Sequence, residues 1–135
     1  MRRRAWRATV AAWLRLGSGL ALGLWVGVAH AVLFERSVDD LQREIRAAGA
    51  DGKQLAVVLS LPDCPGCLEM EKTVYRDMHT QRVIERRFRT VHLDLARSEP
   101  ITDSKGRATT AADLAKGLRA FGTPSFVFFA VDGSL

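Results

Sequence analysis

Two cysteines, Cys64 and Cys67, stand two residues apart in Asp63-Cys64-Pro65-Gly66-Cys67-Leu68, and the 135-residue chain has no others. They follow an apolar run and open a helix-like pattern. A thiol at a helix N-terminus faces unpaired backbone N–H groups and the positive end of the helix dipole, and both favour thiolate over thiol. A second thiol one turn later is near enough to close a disulfide with the first. Such a pair can cycle between dithiol and disulfide, chemistry able to pass two electrons to another protein.

The elements around the pair are legible from pattern. Ser37-Val38-Asp39-Asp40 reads as a capped helix start, with Leu41, Ile45 and Ala48 on one face and Gly49 and Gly52 marking the stop and turn. Leu55 to Ser60 is a continuous apolar run of strand length, expected to be buried on both faces. From Pro65 the pattern turns helical, and proline suits a first helical turn. A second helical segment spans about Thr80 to Phe88, and Thr90 to Leu95 alternates as a strand. Ala96 to Thr109 is polar and reads as a loop. Thr110 opens a further helix through Leu114 and Leu118. Thr123-Pro124 then leads into a strand at 126–131, and Asp132-Gly133 signals a turn. Strands alternating with helices give an α/β layer architecture with at least one parallel crossover. Tyr75, Met78 and Phe88 are expected in the core.

The net charge of +5 comes from the first fifteen residues, which hold Arg2, Arg3, Arg4, Arg7 and Arg15. From Val32 onward 15 Lys and Arg balance 15 Asp and Glu, so the charge gives no support for nucleic-acid binding. Residues 1–31 read as a secretory signal: a basic segment, an apolar stretch from Leu16 to Val28, and Ala29-His30-Ala31 as the cleavage pattern. An uncleaved membrane anchor is the alternative, although the stretch is short against the roughly 20 residues a span needs. A soluble periplasmic protein with its domain at 32–135 is therefore expected.

At this point the chain resembles the thioredoxin superfamily. The resemblance rests on strand 55–60, on Cys64-Pro65-Gly66-Cys67 at the following helix, and on Gly122-Thr123-Pro124-Ser125-Phe126 entering a later strand. More narrowly, the chain is similar to periplasmic thioredoxin-related proteins of bacterial sulfur oxidation. The resemblance implies a protein thiol-disulfide oxidoreductase, more a reductase than an oxidase, needing no small cofactor. Cys64 would be the exposed nucleophile and Cys67 the buried resolving thiol, with Asp63, Pro65 and Gly66 shaping the turn. Pro124 would be a cis-proline facing the disulfide, and Thr123 would offer backbone groups to an extended substrate. The expected partners are a protein disulfide or dithiol and a membrane thiol-disulfide electron donor, with the chain itself a monomer.

Departures from the family pattern carry their own expectations. Asp63 replaces a tryptophan, Pro65-Gly66 reverses the usual inner pair, and Val58 stands where the family has a buried acid. Asp63, Glu69 or a water would then have to assist Cys67. Asp63 should also oppose ionisation of Cys64. The family fold continues through a hairpin strand and a final helix, so the sequence as written is expected to be truncated after the third core strand and to fold poorly.

Other readings compete. A static disulfide closing so short a loop would remove little entropy from the unfolded chain. A metal site could draw on Cys64, Cys67, His79 and His92, although their spacing is unlike that of zinc fingers, and no metal ligand is assigned. The competing function is a metal (copper or zinc) carrier of this fold or a non-catalytic binding module. Leu68 stands where a c-type haem motif needs histidine. Arg82, Arg86, Arg87 and Arg89 read as a solvated basic face.

Overall fold

The computed structural model describes residues 32–135, so the expected signal segment at 1–31 lies outside the described residues. Helix α1 (Leu41–Ala50) leads to strand β1 (Gln54–Ser60), then α2 (Pro65–Thr73), α3 (Met78–Glu85) and β2 (Phe88–Asp94). A two-stranded ladder of β3 (Ile101–Thr102) and β4 (Ala108–Thr109) precedes α4 (Ala111–Gly117) and β5 (Ser125–Phe129). The main sheet has the order β2-β1-β5, with β1 parallel to β2 and antiparallel to β5. The parallel pair needs a crossover, and α2 and α3 supply it.

The central strand is buried on both faces because each face has its own cover. Leu55, Val57 and Leu59 point to one side, where they meet Val91 and Leu93 of β2, Leu41 and Ile45 of α1, and Ala111 and Ala115 of α4. Ala56 and Val58 point to the other side and pack with Leu33, Phe34 and Tyr75. Period-two alternation is what splits one apolar run between two cores. The free edge of β2 is not bare. Ser37 forms an isolated bridge to His92, whose N–H donates to Arg36 O at 2.7 Å and whose carbonyl accepts from Val38 N at 2.9 Å.

Helix starts follow side-chain capping, which satisfies otherwise orphaned amides. Asp40 accepts from Arg43 N, Asp77 from Thr80 N, and Thr110 from Asp113 N. α1 therefore begins after Asp40, and Ser37 and Val38 belong to the β2 edge rather than to a helix start.

The segment 96–109 is not a plain loop. Ile101 pairs with Thr109 and Thr102 with Ala108, and Asp103 pins the turn between them. Its carboxylate accepts from the N–H of Lys105 and of Arg107 and from Arg107 Nε at 2.9 Å. Gly106 supplies the positive φ, +78°, that closes the turn. Hydrogen bonds, chiefly to Arg107, hold the Asp103 carboxyl below the usual carboxylate range.

Three further expectations are corrected. Met78, expected in the core, is 53% exposed at the start of α3, a helix whose buried residue is Gln81. Arg89 leaves the basic cluster: it turns toward α1 and donates to Glu44 at 2.7 Å. The third main strand ends at Phe129, two residues early, and Ala130 to Ser134 closes as a hydrogen-bonded turn.

Candidate active site: a cysteine pair beside a cavity

Strand β1 ends at Ser60, and four residues later Cys64 begins α2 as its N-cap in an extended conformation. Its Sγ accepts from Cys67 N at 3.1 Å, so the sulfur itself performs the capping that an oxygen performs in α1, α3 and α4. Pro65 occupies the first helical turn, where its lack of an N–H removes no bond. Cys64 and Cys67 form a disulfide with Cα atoms 5.2 Å apart. On reduction, the Cys64 sulfur would lie among N–H groups of the first turn, a setting that stabilises an anion.

The loop before β5 faces this sulfur. The Thr123–Pro124 peptide bond is cis, and Cys64 Sγ lies 3.4 Å from Thr123 O. Gly66 eases the approach, since a Cβ there would meet Pro124 Cδ at a tight 3.3 Å. Asp63, Pro65 and Gly66 are exposed around the turn, and Thr123 and Pro124 are half-buried. The sequence motifs at 63–67 and 123–124 are thus neighbours in space.

Burial differs from the order the resemblance implies. Cys64 is 9% exposed, whereas Cys67 is half-buried and lines a cavity. The physical reason is that the 123–124 loop covers Cys64, while Cys67 opens on a cavity walled by apolar side chains such as Leu33 and Phe34 as well as polar ones. That cavity, about 350 Å³, has Cys67, Ser60, Glu71, Tyr75 and His92 on its walls together with Val58. Asp63 and Glu69, expected to assist Cys67, do not line it.

Sequence considered His92 only as a metal ligand and did not single out Ser60, and the register explains how the two come together. Parallel pairing sets Val58 opposite His92 and Ser60 opposite Asp94, so the even-numbered residues of β1 and β2 share the face beneath α2. His92 Nε2 and Ser60 Oγ form a short hydrogen bond. Burial lowers the His92 pKa from its ordinary value, against the opposing pull of Asp94 and Glu71, so the ring is neutral at pH 7. Burial, helped by Glu71, pushes Tyr75 up to about 12, which keeps the phenol protonated, and its hydroxyl has no partner among the described residues. The signal available in sequence was parity: His92 alternates with the core residues Val91 and Leu93.

His79 is exposed on α3 and does not line the cavity, so the four residues considered as metal ligands are not brought together. Among the described residues no group of three His, Cys, Asp or Glu is placed to hold a metal ion.

Comparison with solved structures finds the oxidised C-terminal domain of DsbD from Neisseria meningitidis, 18% identical, with a TM-score of 0.51 over 70% of this chain and 74% of that one. A thioredoxin from Thermus thermophilus is 27% identical, with a TM-score of 0.47 over 69% of this chain and 63% of that one. The first likeness is one of fold. No curated protein matches. A family model described as a thioredoxin-like domain matches residues 41–135, which takes in β1, the Cys64–Cys67 pair, the Thr123–Pro124 loop and β5. The chain therefore belongs to the thioredoxin-like domain family.

Proposed function

We propose that the protein is an exported thiol-disulfide oxidoreductase that reduces disulfides of protein substrates in the periplasm. The observation that carries the reading is the Cys64–Cys67 disulfide at the N-terminus of α2, with its Cys64 sulfur facing the Thr123 carbonyl. In the reductive direction the Cys64 thiolate attacks a substrate disulfide and a mixed disulfide forms. The first substrate sulfur leaves as a thiolate. Cys67 then attacks Cys64 Sγ, the intermolecular bond breaks, and the second substrate sulfur leaves with the electron pair. An extended substrate segment would lie along Thr123 and Pro124. Electrons to restore the dithiol would come from a membrane thiol-disulfide relay, and the cycle needs no small cofactor. Cys64 is assigned as the attacking sulfur because it is the helix cap, despite its cover.

Export rests on the 1–31 segment, and the kinship with proteins of bacterial sulfur oxidation rests on Thr123-Pro124-Ser125-Phe126-Val127-Phe128-Phe129 and on the long polar segment before α4. The test is reduction of insulin disulfides with dithiothreitol as donor. Wild type accelerates it and Cys64→Ser does not. A reduction potential near the roughly −270 mV of thioredoxin supports a reductase, and one near about −120 mV would make the protein an oxidant instead. Absence of exchange, with stoichiometric copper or zinc bound, would replace the enzyme reading with a metal carrier. Cell fractionation decides export.

A further inference from the structure

Resolution of the mixed disulfide requires Cys67 to lose a proton, and the residue at the family's buried-acid position is the apolar Val58. The register partner of Val58 on the neighbouring strand is His92. Its ring sits on the same cavity wall system as Cys67 and is tethered to Ser60, which also lines that cavity. We propose that the Ser60–His92 pair is the proton acceptor for Cys67, taking over from the next strand the task of the missing acid. This deepens the disulfide-exchange reading and rests on it.

The step balances as follows. The Cys67 thiol gives its proton through cavity water to Ser60 Oγ, while the Ser60 hydroxyl proton passes to His92 Nε2. The tautomer required is the neutral ring with its proton on Nδ1. The Cys67 thiolate attacks Cys64 Sγ, the Cys64–substrate bond breaks, and the substrate sulfur leaves as a thiolate. The substrate disulfide is reduced by two electrons and the cysteine pair is oxidised by two.

Its hydrogen bond to Ser60 sets the histidine apart from the other polar groups near it. Glu71 faces it from α2, Asp94 from its own strand, and Glu35, Arg76 and the Tyr75 phenol stand on the cavity walls; Ser60 faces it from β1. Of these, Ser60 is the one hydrogen-bonded to the ring. Arg36 reaches His92 only through backbone, since its carbonyl accepts from the His92 amide. A ring kept neutral by burial is ready to accept, and the carboxylates of Glu71 and Asp94 would steady the imidazolium that forms.

The reduced full chain, mixed with the aromatic disulfide 5,5′-dithiobis(2-nitrobenzoate), separates the two chemical steps. The first release of thionitrobenzoate reports attack by Cys64, and the second reports resolution by Cys67. In wild type the second release should show an inflection below pH 6.5, the ordinary histidine value. His92→Gln should slow it at pH 7 by about tenfold, short of the 10²–10⁴ typical of general-base loss because thiols ionise readily. It should also remove the inflection while leaving the first release unchanged. Ser60→Ala, which keeps the ring, should slow the second release several-fold and serves alone if His92→Gln does not fold. An unchanged second-phase rate and pH profile in a folded variant overturns the proposal. So does an inflection that survives in His92→Gln and vanishes in Glu71→Gln. Failure to reduce insulin with a normal two-phase release would instead sink the protein-substrate reading and leave the proton relay standing.

Discussion

The two faces of one sheet differ in kind. On the odd-numbered face Leu55, Val57, Leu59, Val91 and Leu93 are sealed under α1 and α4, and the side chains form a dry core. On the even-numbered face the same two strands present Ala56, Val58, Ser60, Thr90, His92 and Asp94; Ala56 and Val58 join a smaller apolar cluster with Leu33, Phe34 and Tyr75, and a cavity walled by Val58, Ser60 and His92 opens beside it toward the cysteine-bearing helix. The strands pay the entropy of ordering once, and the dry face supplies the burial that lets the other stay incompletely packed. Each sealed leucine is worth about 1.5–3 kcal/mol.

The largest expected effect breaks the dry side. Leu59→Ala should cost about 2–5 kcal/mol, read as a drop in Tm or in the denaturant midpoint. Its neighbour on the wet side, Val58→Ala, only enlarges an existing void and should cost about 0.8 kcal/mol for each of the two carbon groups removed. Equal losses would erase the contrast. Arg89→Ala comes next. It leaves the buried Glu44 without its 2.7 Å partner and should cost about 1–3 kcal/mol, whereas Arg82→Ala on exposed α3 should be near neutral.

A smaller effect sharpens the wet side. Because burial lowers the His92 pKa, the unfolded chain binds the extra proton first as pH falls. Its contribution to stability is whole above about 6.5, shrinks as pH drops below that value, and levels off beneath the folded pKa. His92→Gln should flatten this stretch of the curve in urea melts across pH, and an unaltered slope would assign the acid sensitivity elsewhere. The smallest effect is local. Gly66→Ala must push Pro124 by a few tenths of an ångström, so exchange should slow by far less than the roughly hundredfold that a 1 Å displacement costs, with Tm nearly unchanged.

Much of this was legible in the residues themselves. The apolar run of β1, the cysteine spacing with Pro65 and the Thr123-Pro124 strand entry are local signals, and each element appears within a residue or two of its expected place. The β3–β4 ladder was not legible, since two-residue strands carry no period and the side chain that organises them, Asp103, looks like any loop acid. Met78 misled because apolar type says nothing about whether a partner surface exists. His92 was read only as a possible metal ligand, since its meaning depends on which residue of β1 it faces. That is fixed by a register across more than thirty positions of intervening chain, not by its neighbours in sequence.

The sulfur cap on α2 has a practical corollary. Because one atom both closes the first helical turn and changes charge during turnover, the amide of Cys67 doubles as a resident gauge of the redox state. Its proton should resonate and exchange with deuterium differently when Cys64 is bridged, ionised or alkylated. A single backbone peak in a nitrogen-15 spectrum would then follow the reaction without any label on the substrate.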